Sequence, residues 1–120
     1  MTNTKQAGDE GERMACEYIT EQGMRVLARN YFSGKEEIDI IARDGSVTVF
    51  IEVKERTSSK YGMPAEAGTP FKQRSIMRAA VNYLKKNKLL NSSIRFDVAA
   101  IYKGELKYIK NAFDATGMMR

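Results

Sequence analysis

Two strand-like segments on either side of Asp44-Gly45 constrain the fold of this chain more than any other feature. We predict one strand over residues 37–43 and another over residues 47–54, because both carry runs of apolar and β-branched side chains. An Asp-Gly pair between two such segments is a strong signal for a β-hairpin. The middle of the chain is therefore expected to be an antiparallel hairpin.

The other segments predict helices and strands around this hairpin. A first helix is expected after Asp9, as its N-cap, and before Gly23, while Thr69-Pro70 predicts the start of a second helix that ends near Lys88. Turn-forming residues over 57–68 predict a mobile connection. The remaining predicted strands cover residues 24–31, 94–102 and 106–109. The resulting order, α-β-β-β-α-β-β, predicts an α/β fold with a mixed sheet flanked by helices.

The composition limits the number of domains and the available chemistry. With 120 residues, 42% of them hydrophobic, the chain has room for one domain, residues 1–120, around one core. The sequence has no His and a single Cys, Cys16, which excludes an internal disulfide, a zinc site of the thiolate or imidazole kind, and imidazole acid–base catalysis. Any catalysis must therefore come from carboxylates, lysine and a hard metal ion.

The distribution of apolar and basic residues predicts a location and a partner. No apolar stretch approaches the ~20 residues that span a bilayer, and residues 1–12 contain no apolar run typical of a secretory signal. We therefore expect a cytoplasmic protein with no membrane contact, and a lone Cys fits a reducing compartment. The net charge of +5 favours a polyanionic partner. The predicted nucleic-acid-binding residues are Lys54, Arg56, Lys72 and Arg74, whereas the run 85–88 is interpreted as a solvated helix end.

The hairpin brings carboxylates and an amine onto neighbouring strands. Glu52 and Lys54 share one face, because side chains alternate along a strand. If the turn is the two residues Asp44-Gly45, Asp39 is a diagonal neighbour of Glu52 on that face. A four-residue turn over 44–47 would place the two acids directly opposite each other, and a three-residue turn would place them on opposite faces. The same Glu-x-Lys pattern is also common as a simple ion pair.

Residues on both predicted helices could complete such a site. Glu12 shares a helical face with Ala15 and Ile19, so its carboxylate needs a partner near the core. Two carboxylates with room for water suit Mg²⁺ or Mn²⁺, and Lys54 would orient a water or balance charge on a phosphate. Gln73 interrupts the apolar stripe of the second helix. It is either a partly exposed residue of the first turn or, with Lys72, a group that reaches the site.

Motifs along nearly the whole chain resemble the YraN-type family of small bacterial proteins. They are, in chain order, Gly11-Glu12, Ala15, Tyr18-Ile19, Arg29-Asn30-Tyr31, Glu37-Ile38-Asp39-Ile40-Ile41-Ala42-Arg43-Asp44, Phe50-Ile51-Glu52-Val53-Lys54, Lys72-Gln73-Arg74, Arg95-Phe96-Asp97-Val98 and Asn111-Ala112-Phe113-Asp114. That family is similar to archaeal Holliday-junction resolvases within the restriction-endonuclease-like PD-(D/E)XK superfamily. Glu36 stands where the family usually has Gly, which adds an acid beside the site.

The resemblance implies a restriction-endonuclease-like core with a Mg²⁺-dependent site that cleaves phosphodiester bonds. Carried over, Asp39, Glu52 and the backbone carbonyl of Val53 would be metal ligands. Lys54 would be the catalytic lysine, Glu12 the acid from the first helix and Gln73 the accessory polar residue. From its position on that helix, Glu12 could complete the metal shell or hold a second metal. The resemblance also admits a homodimer, because resolvase-like enzymes work as symmetric dimers.

Three functions are consistent with these patterns. The first is a metal-dependent endonuclease that acts on branched or otherwise structured DNA. The second is a nucleic-acid-binding module with a catalytically silent nuclease fold, which would bind in a salt-sensitive manner without a metal. The third is a protein-interaction domain in which Asp39, Glu52 and Lys54 form only an ion-pair network.

Overall fold

The predicted order of helices and strands is confirmed. A computed structural model describes residues 4–56 and 70–113, with side chains described for residues 10–55 and 71–113. The elements are α1 (Thr4–Glu21), β1 (Arg25–Ser33), β2 (Glu36–Asp44), β3 (Val47–Arg56), α2 (Pro70–Lys86), β4 (Ser93–Tyr102) and β5 (Glu105–Ile109). The predicted mobile connection and the predicted N-cap at Thr69 lie outside the described residues.

Helix α1 begins earlier than predicted, but it ends before Gly23 as predicted. Asp9 is not the N-cap, because the helix already begins at Thr4, and the good helix formers at 5–7 extend it. At its C-terminus Gly23 adopts φ 92°, which favours glycine. The amide of Met24 donates to the carbonyl of Ile19 at 2.9 Å, and the amide of Gly23 donates to that of Thr20 at 3.0 Å. This pair of hydrogen bonds is the Schellman arrangement that stops a helix.

The five strands form one mixed sheet in the order β1-β2-β3-β4-β5. All neighbouring pairs are antiparallel except β3 and β4, which run parallel and are connected through the segment that contains α2. A parallel pair requires such a crossover, which places a helix on one face of the sheet. None of the described helices is long and apolar enough to cross a membrane.

The two helices cover opposite faces of the sheet. Along β3, Phe50 packs in a cluster with Ile76 and Leu84 of α2, whereas Ile51 packs in a second cluster with Ile19 of α1. Alternation along a strand produces this division, because successive side chains point to opposite faces. Side chains of β3 that share the face of Phe50 therefore point toward α2.

The β2–β3 turn lies one residue later than expected. Asp44 pairs with Val47, so the loop is Gly45-Ser46 rather than Asp44-Gly45. Gly45 takes φ 61°, which glycine adopts without strain, and Asp44 stays in the strand, where its carboxylate accepts a hydrogen bond from Arg95 at 3.0 Å. In the resulting register Arg43 pairs with Thr48 and Ile40 with Ile51, which directs Asp39 toward Glu52. This is the register that the turn over residues 44–47 predicted.

A buried polar network fixes the end of the sheet that lies on β4 and β5. The side chain of Asp97 has 0% exposure and accepts hydrogen bonds from Arg95 Nε (2.9 Å), Tyr108 Oη (2.6 Å) and the backbone amide of Asn111 (2.8 Å). Arg95 also binds Asp44. Burial and the hydrogen bond to Asp97 raise the pKa of Tyr108. The Asp97 carboxylate thus connects β4, β5 and the segment after β5, and Arg95 extends the network to β2 through Asp44.

We predict that Asp97→Ala lowers the free energy of unfolding by about 3–5 kcal/mol, because it leaves the Arg95 guanidinium without its buried partner. Urea denaturation followed by circular dichroism measures the change. Glu105→Ala is the control, since Glu105 is exposed and its loss should change stability by less than about 0.5 kcal/mol. A loss below about 1 kcal/mol for Asp97→Ala would contradict a structural role for the network.

Candidate active site

The site lies where β2 and β3 separate. Their pairing stops at Ile40 and Ile51, while β2 continues against β1 as far as Glu36 and β3 continues against β4 as far as Arg56. The alternation of side chains along β2 also breaks at this point. Ile38 and Ile40 are two positions apart and should share a face, yet Ile38 packs with Ile41 in the α2 cluster and Ile40 packs in the α1 cluster. Asp39 occupies the irregular position at the start of this split.

Asp39 spans the gap with its side chain. Its Oδ2 accepts a hydrogen bond of 2.8 Å from the backbone amide of Val53, which thereby gains a partner after the ladder has ended. Burial raises the pKa of Asp39 to about 6, and the negative charges of Glu52, Glu12 and Glu37 add to this increase against the opposing effect of the Val53 hydrogen bond. The Asp39 carboxylate therefore lies in a largely buried position with other acids nearby, and both conditions disfavour its charged form.

Glu52 points to the same side of the sheet as Phe50, toward α2. Its Oε1 lies 3.9 Å from Nζ of Lys72 in the first turn of α2. Its Oε2 is buried and has no hydrogen-bond partner among the described residues. A buried carboxylate oxygen without a hydrogen-bond partner is costly. Glu52 Oε2 is therefore the atom of the site that most needs a ligand.

Asp39 and Glu52 line one cleft of about 390 Å³ between the split and α2. Its other lining residues are Lys35, Glu36, Glu37, Phe71, Lys72, Ser75 and Ile76. The acid that Glu36 adds is partly neutralised, because its Oε1 lies 3.3 Å from the guanidinium of Arg78. The cleft thus has an acidic floor with lysines at its edges.

Glu12 approaches this site from the α1 side. It is 7% exposed, and its Oε1 lies 3.3 Å from the guanidinium of Arg29 on β1. Glu12 does not line the cleft, although its charge contributes to the raised pKa of Asp39. Within residues 4–56 and 70–113, no three Asp, Glu, Cys or His side chains come close enough together to hold a metal ion. Its role as a ligand stays a prediction.

The remaining predicted site residues take different positions. Lys54 is partly buried on the face of β3 that carries Glu52. The amide of Val53 donates to Asp39, whereas the role of the Val53 carbonyl as a metal ligand stays a prediction. Gln73 is half-buried in the first turn of α2 and does not line the cleft. Arg74 is exposed on α2. The side chain of Arg56 lies outside the described residues.

The sequence analysis did not identify Lys35, Phe71 and Ser75 as residues of the cleft. Phe71 follows directly after the helix-starting proline, on the side of α2 opposite its apolar stripe. That position is the signal that could have indicated an exposed aromatic ring at the start of α2. Lys35 had no such signal, because only the packing of the β1–β2 turn near α2 brings it to the cleft.

The raised pKa of Asp39 predicts a pH-dependent stability. The folded state holds this proton up to about pH 6 and the unfolded chain only to about pH 4, so the contribution of Asp39 to stability falls as pH rises between these values. Asp39→Asn keeps an acceptor for Val53 and removes the charge. In EDTA it should raise the free energy of unfolding by about 1–3 kcal/mol at pH 7.5, with little difference near pH 4.

Urea titrations at both pH values measure this difference. Glu105→Gln, an exposed acid outside the cleft, is the control and should behave like the wild type at both pH values. An Asp39→Asn variant that gains no more stability at pH 7.5 than at pH 4 would contradict the electrostatic description of the site.

Solved structures show which fold this arrangement belongs to. A Holliday junction resolvase from Archaeoglobus fulgidus, Hjc, superposes with a TM-score of 0.51 at 17% sequence identity, over 88% of this chain and 77% of the resolvase. At this identity the likeness shows the fold alone. The chain has the restriction-endonuclease-like fold that the family resemblance implied.

Sequence comparisons extend over most of the chain. A protein of Lachnoclostridium phytofermentans is 48% identical over 116 residues, which are 96% of this chain and 98% of the relative. A protein of Chlorobaculum parvum is 52% identical over 99 residues, 82% of this chain and 77% of the relative. Both are named only as UPF0102 proteins. The family model described as uncharacterised protein family UPF0102 matches residues 11–101, and this chain belongs to that family.

Proposed function

We propose that this protein is a divalent-metal-dependent endonuclease that cleaves phosphodiester bonds in branched or otherwise structured DNA. The observation that carries the proposal is the pair Asp39 and Glu52 in one cleft, with Glu52 Oε2 buried and unpartnered among the described residues. The fold, shared with a protein named as a Holliday junction resolvase, supports a nucleic-acid substrate. We extend the proposal to a homodimer, as symmetric cleavage of a junction would require.

The donor set fits Mg²⁺ or Mn²⁺. Both residues offer hard carboxylate oxygens, and Mg²⁺ in enzymes is held by one or two carboxylates together with waters and substrate phosphate. A third carboxylate is therefore not required. A cation would give the unpartnered Glu52 Oε2 a ligand and would favour the charged form of Asp39, whose pKa is raised by burial and by nearby acids. When bound, the metal would polarise a phosphoryl oxygen and lower the pKa of an attacking water.

The residues of the chain would divide the remaining tasks. Asp39 is held in place by the Val53 amide, so its carboxylate is already positioned before a ligand arrives. Lys54, on the face of Glu52, would place its ammonium beside the scissile phosphate and balance developing charge. Glu12 pairs with Arg29 outside the cleft, so it would have to leave Arg29 to complete the metal shell. Gln73 would orient the attacking water. Lys54, Arg56, Lys72 and Arg74 would bind the nucleic-acid backbone, which salt would weaken.

We predict that Glu52→Gln lowers metal-dependent cleavage by at least about 100-fold, because one of two carboxylate ligands loses its charge. The assay incubates protein with labelled four-way junction, flap, duplex and single-stranded DNA in Mg²⁺ or Mn²⁺. Glu105→Gln, whose side chain is exposed outside the cleft, should cleave like the wild type. If the wild type cleaves none of these substrates, or Glu52→Gln cleaves at the wild-type rate, the enzymatic proposal is wrong.

A second function is favoured by the ion pairs of the site. Glu52 lies near Lys72 and Glu12 pairs with Arg29, so the chain itself partly neutralises two of the three proposed acids. That arrangement also suits a nucleic-acid-binding module that has the fold of a nuclease and needs no metal. Such a module would bind DNA equally well in Mg²⁺ and in EDTA.

Thermal unfolding separates the two functions. A cation that binds only the folded state at about 100 times its Kd adds about 2.7 kcal/mol, which raises the melting temperature of a chain of this size by several degrees. We predict such an increase in Mn²⁺ for the wild type and for Glu105→Gln, and little increase for Glu52→Gln. Equal melting temperatures of the wild type in Mn²⁺ and in EDTA would favour the module without a metal.

A further inference from the structure

The outer face of α2 has an unusual composition. Phe71, Arg74, Arg78, Asn82 and Lys85 are spaced by three or four residues, so they form one stripe, and all five are exposed. The helix carries Lys72, Arg74, Arg78, Lys85 and Lys86 and neither Asp nor Glu. A helical face with cations alone is complementary to a polyanion.

An aromatic ring begins this stripe at the cleft. Phe71 is 69% exposed, yet it lines the same cleft as Asp39 and Glu52. Phe50 and Phe96, each 1% exposed, show how this fold accommodates phenylalanines that serve its core. The ring of Phe71 also stands next to Lys72 and shares the cleft with Lys35. Its surroundings therefore combine a free aromatic face, cationic side chains and the proposed cleavage site.

Two residues of the stripe contact the ends of β1 and β2. Arg78 binds Glu36, and the side-chain amide of Asn82 donates to Ser33 Oγ at 2.7 Å, so α2 is tied to the β1–β2 turn. This connection gives the cleft a defined wall. From Arg74 to Lys85 the helix rises about 16 Å, which corresponds to roughly five nucleotides of a stacked strand.

We propose that Phe71 stacks on an unpaired nucleobase beside the scissile phosphate while the cations of the α2 stripe follow the backbone that leads away from it. The proposal rests on the proposed function and makes its substrate class more specific. Bases inside a continuous duplex already stack on their neighbours, so a ring at the cleft gains nothing from them. An unpaired base at a branch point, gap or flap presents a free face, and every base has such a face.

Binding measurements test the proposal without catalysis. Fluorescence anisotropy in EDTA compares a continuous duplex with a matched DNA that has one unpaired 2-aminopurine at a gap, and an RNA version of the gapped strand. We expect Phe71→Ala to weaken binding of the gapped DNA about tenfold and of the duplex less than twofold. Phe71→Trp should retain wild-type binding, and 2-aminopurine fluorescence should be quenched by wild type and Phe71→Trp only.

Arg74→Ala is the matched control on the same stripe. It removes a backbone contact, so it should weaken binding of the gapped and the continuous DNA by the same factor. Melting temperatures of all variants should agree, since Phe71 and Arg74 are both exposed.

The possible results distinguish this inference from the function on which it rests. If Phe71→Ala weakened binding of the gapped and the continuous DNA equally, or weakened neither, the stacking role of Phe71 would be wrong. DNA binding by the protein would still stand. Failure of the wild type to bind any DNA both in EDTA and in Mg²⁺ would refute the proposed function together with the inference. Preference for the RNA strand with the same dependence on Phe71 would support stacking and revise the substrate to RNA.

Discussion

The hydrogen bond from the Val53 amide to Asp39 is the interaction on which the arrangement of the site depends. It forms at the point where β2 leaves β3, and it replaces the ladder bond that the separating strands can no longer make. An apolar residue at position 39 would leave a backbone amide without a partner at the edge of the core. The carboxylate therefore has a structural role that is independent of any ligand, and the same role fixes its position before a ligand binds.

The split also explains why acids from opposite faces influence each other. In a continuous sheet, a residue of α1 and the cleft under α2 would be separated by paired backbone. Here Glu12 contributes to the raised pKa of Asp39 although it pairs with Arg29 and does not line the cleft. Asp39 therefore senses acids on both sides of the sheet, and a carboxyl group with a raised pKa in a cleft is typical of functional sites.

The sequence predicted the elements well because hydrophobic periodicity and turn residues are local signals. Alternation alone placed Glu52 and Lys54 together, but the exact turn depended on Asp44, which stays in its strand because Arg95 binds it from β4. That contact joins residues 51 positions apart and has no local signal. The same holds for Asp97, whose partners on β5 and beyond appear only when the strands assemble. Glu12 was expected at the metal; its pairing with Arg29 follows from a contact between α1 and β1 that no spacing reveals.

The two helices differ in the charge of their exposed side chains. The described part of α1 exposes Glu10, Glu17 and Glu21 and one cation, Arg13, so its surface has a net negative charge. Helix α2 itself contains no acid, and among the described residues Arg78 lies near Glu36 and Lys72 near Glu52. Exposed charges contribute little to folding stability, so the fold does not depend on the cations that α2 exposes. Their position beside an acidic cleft is consistent with the anionic ligand that we propose.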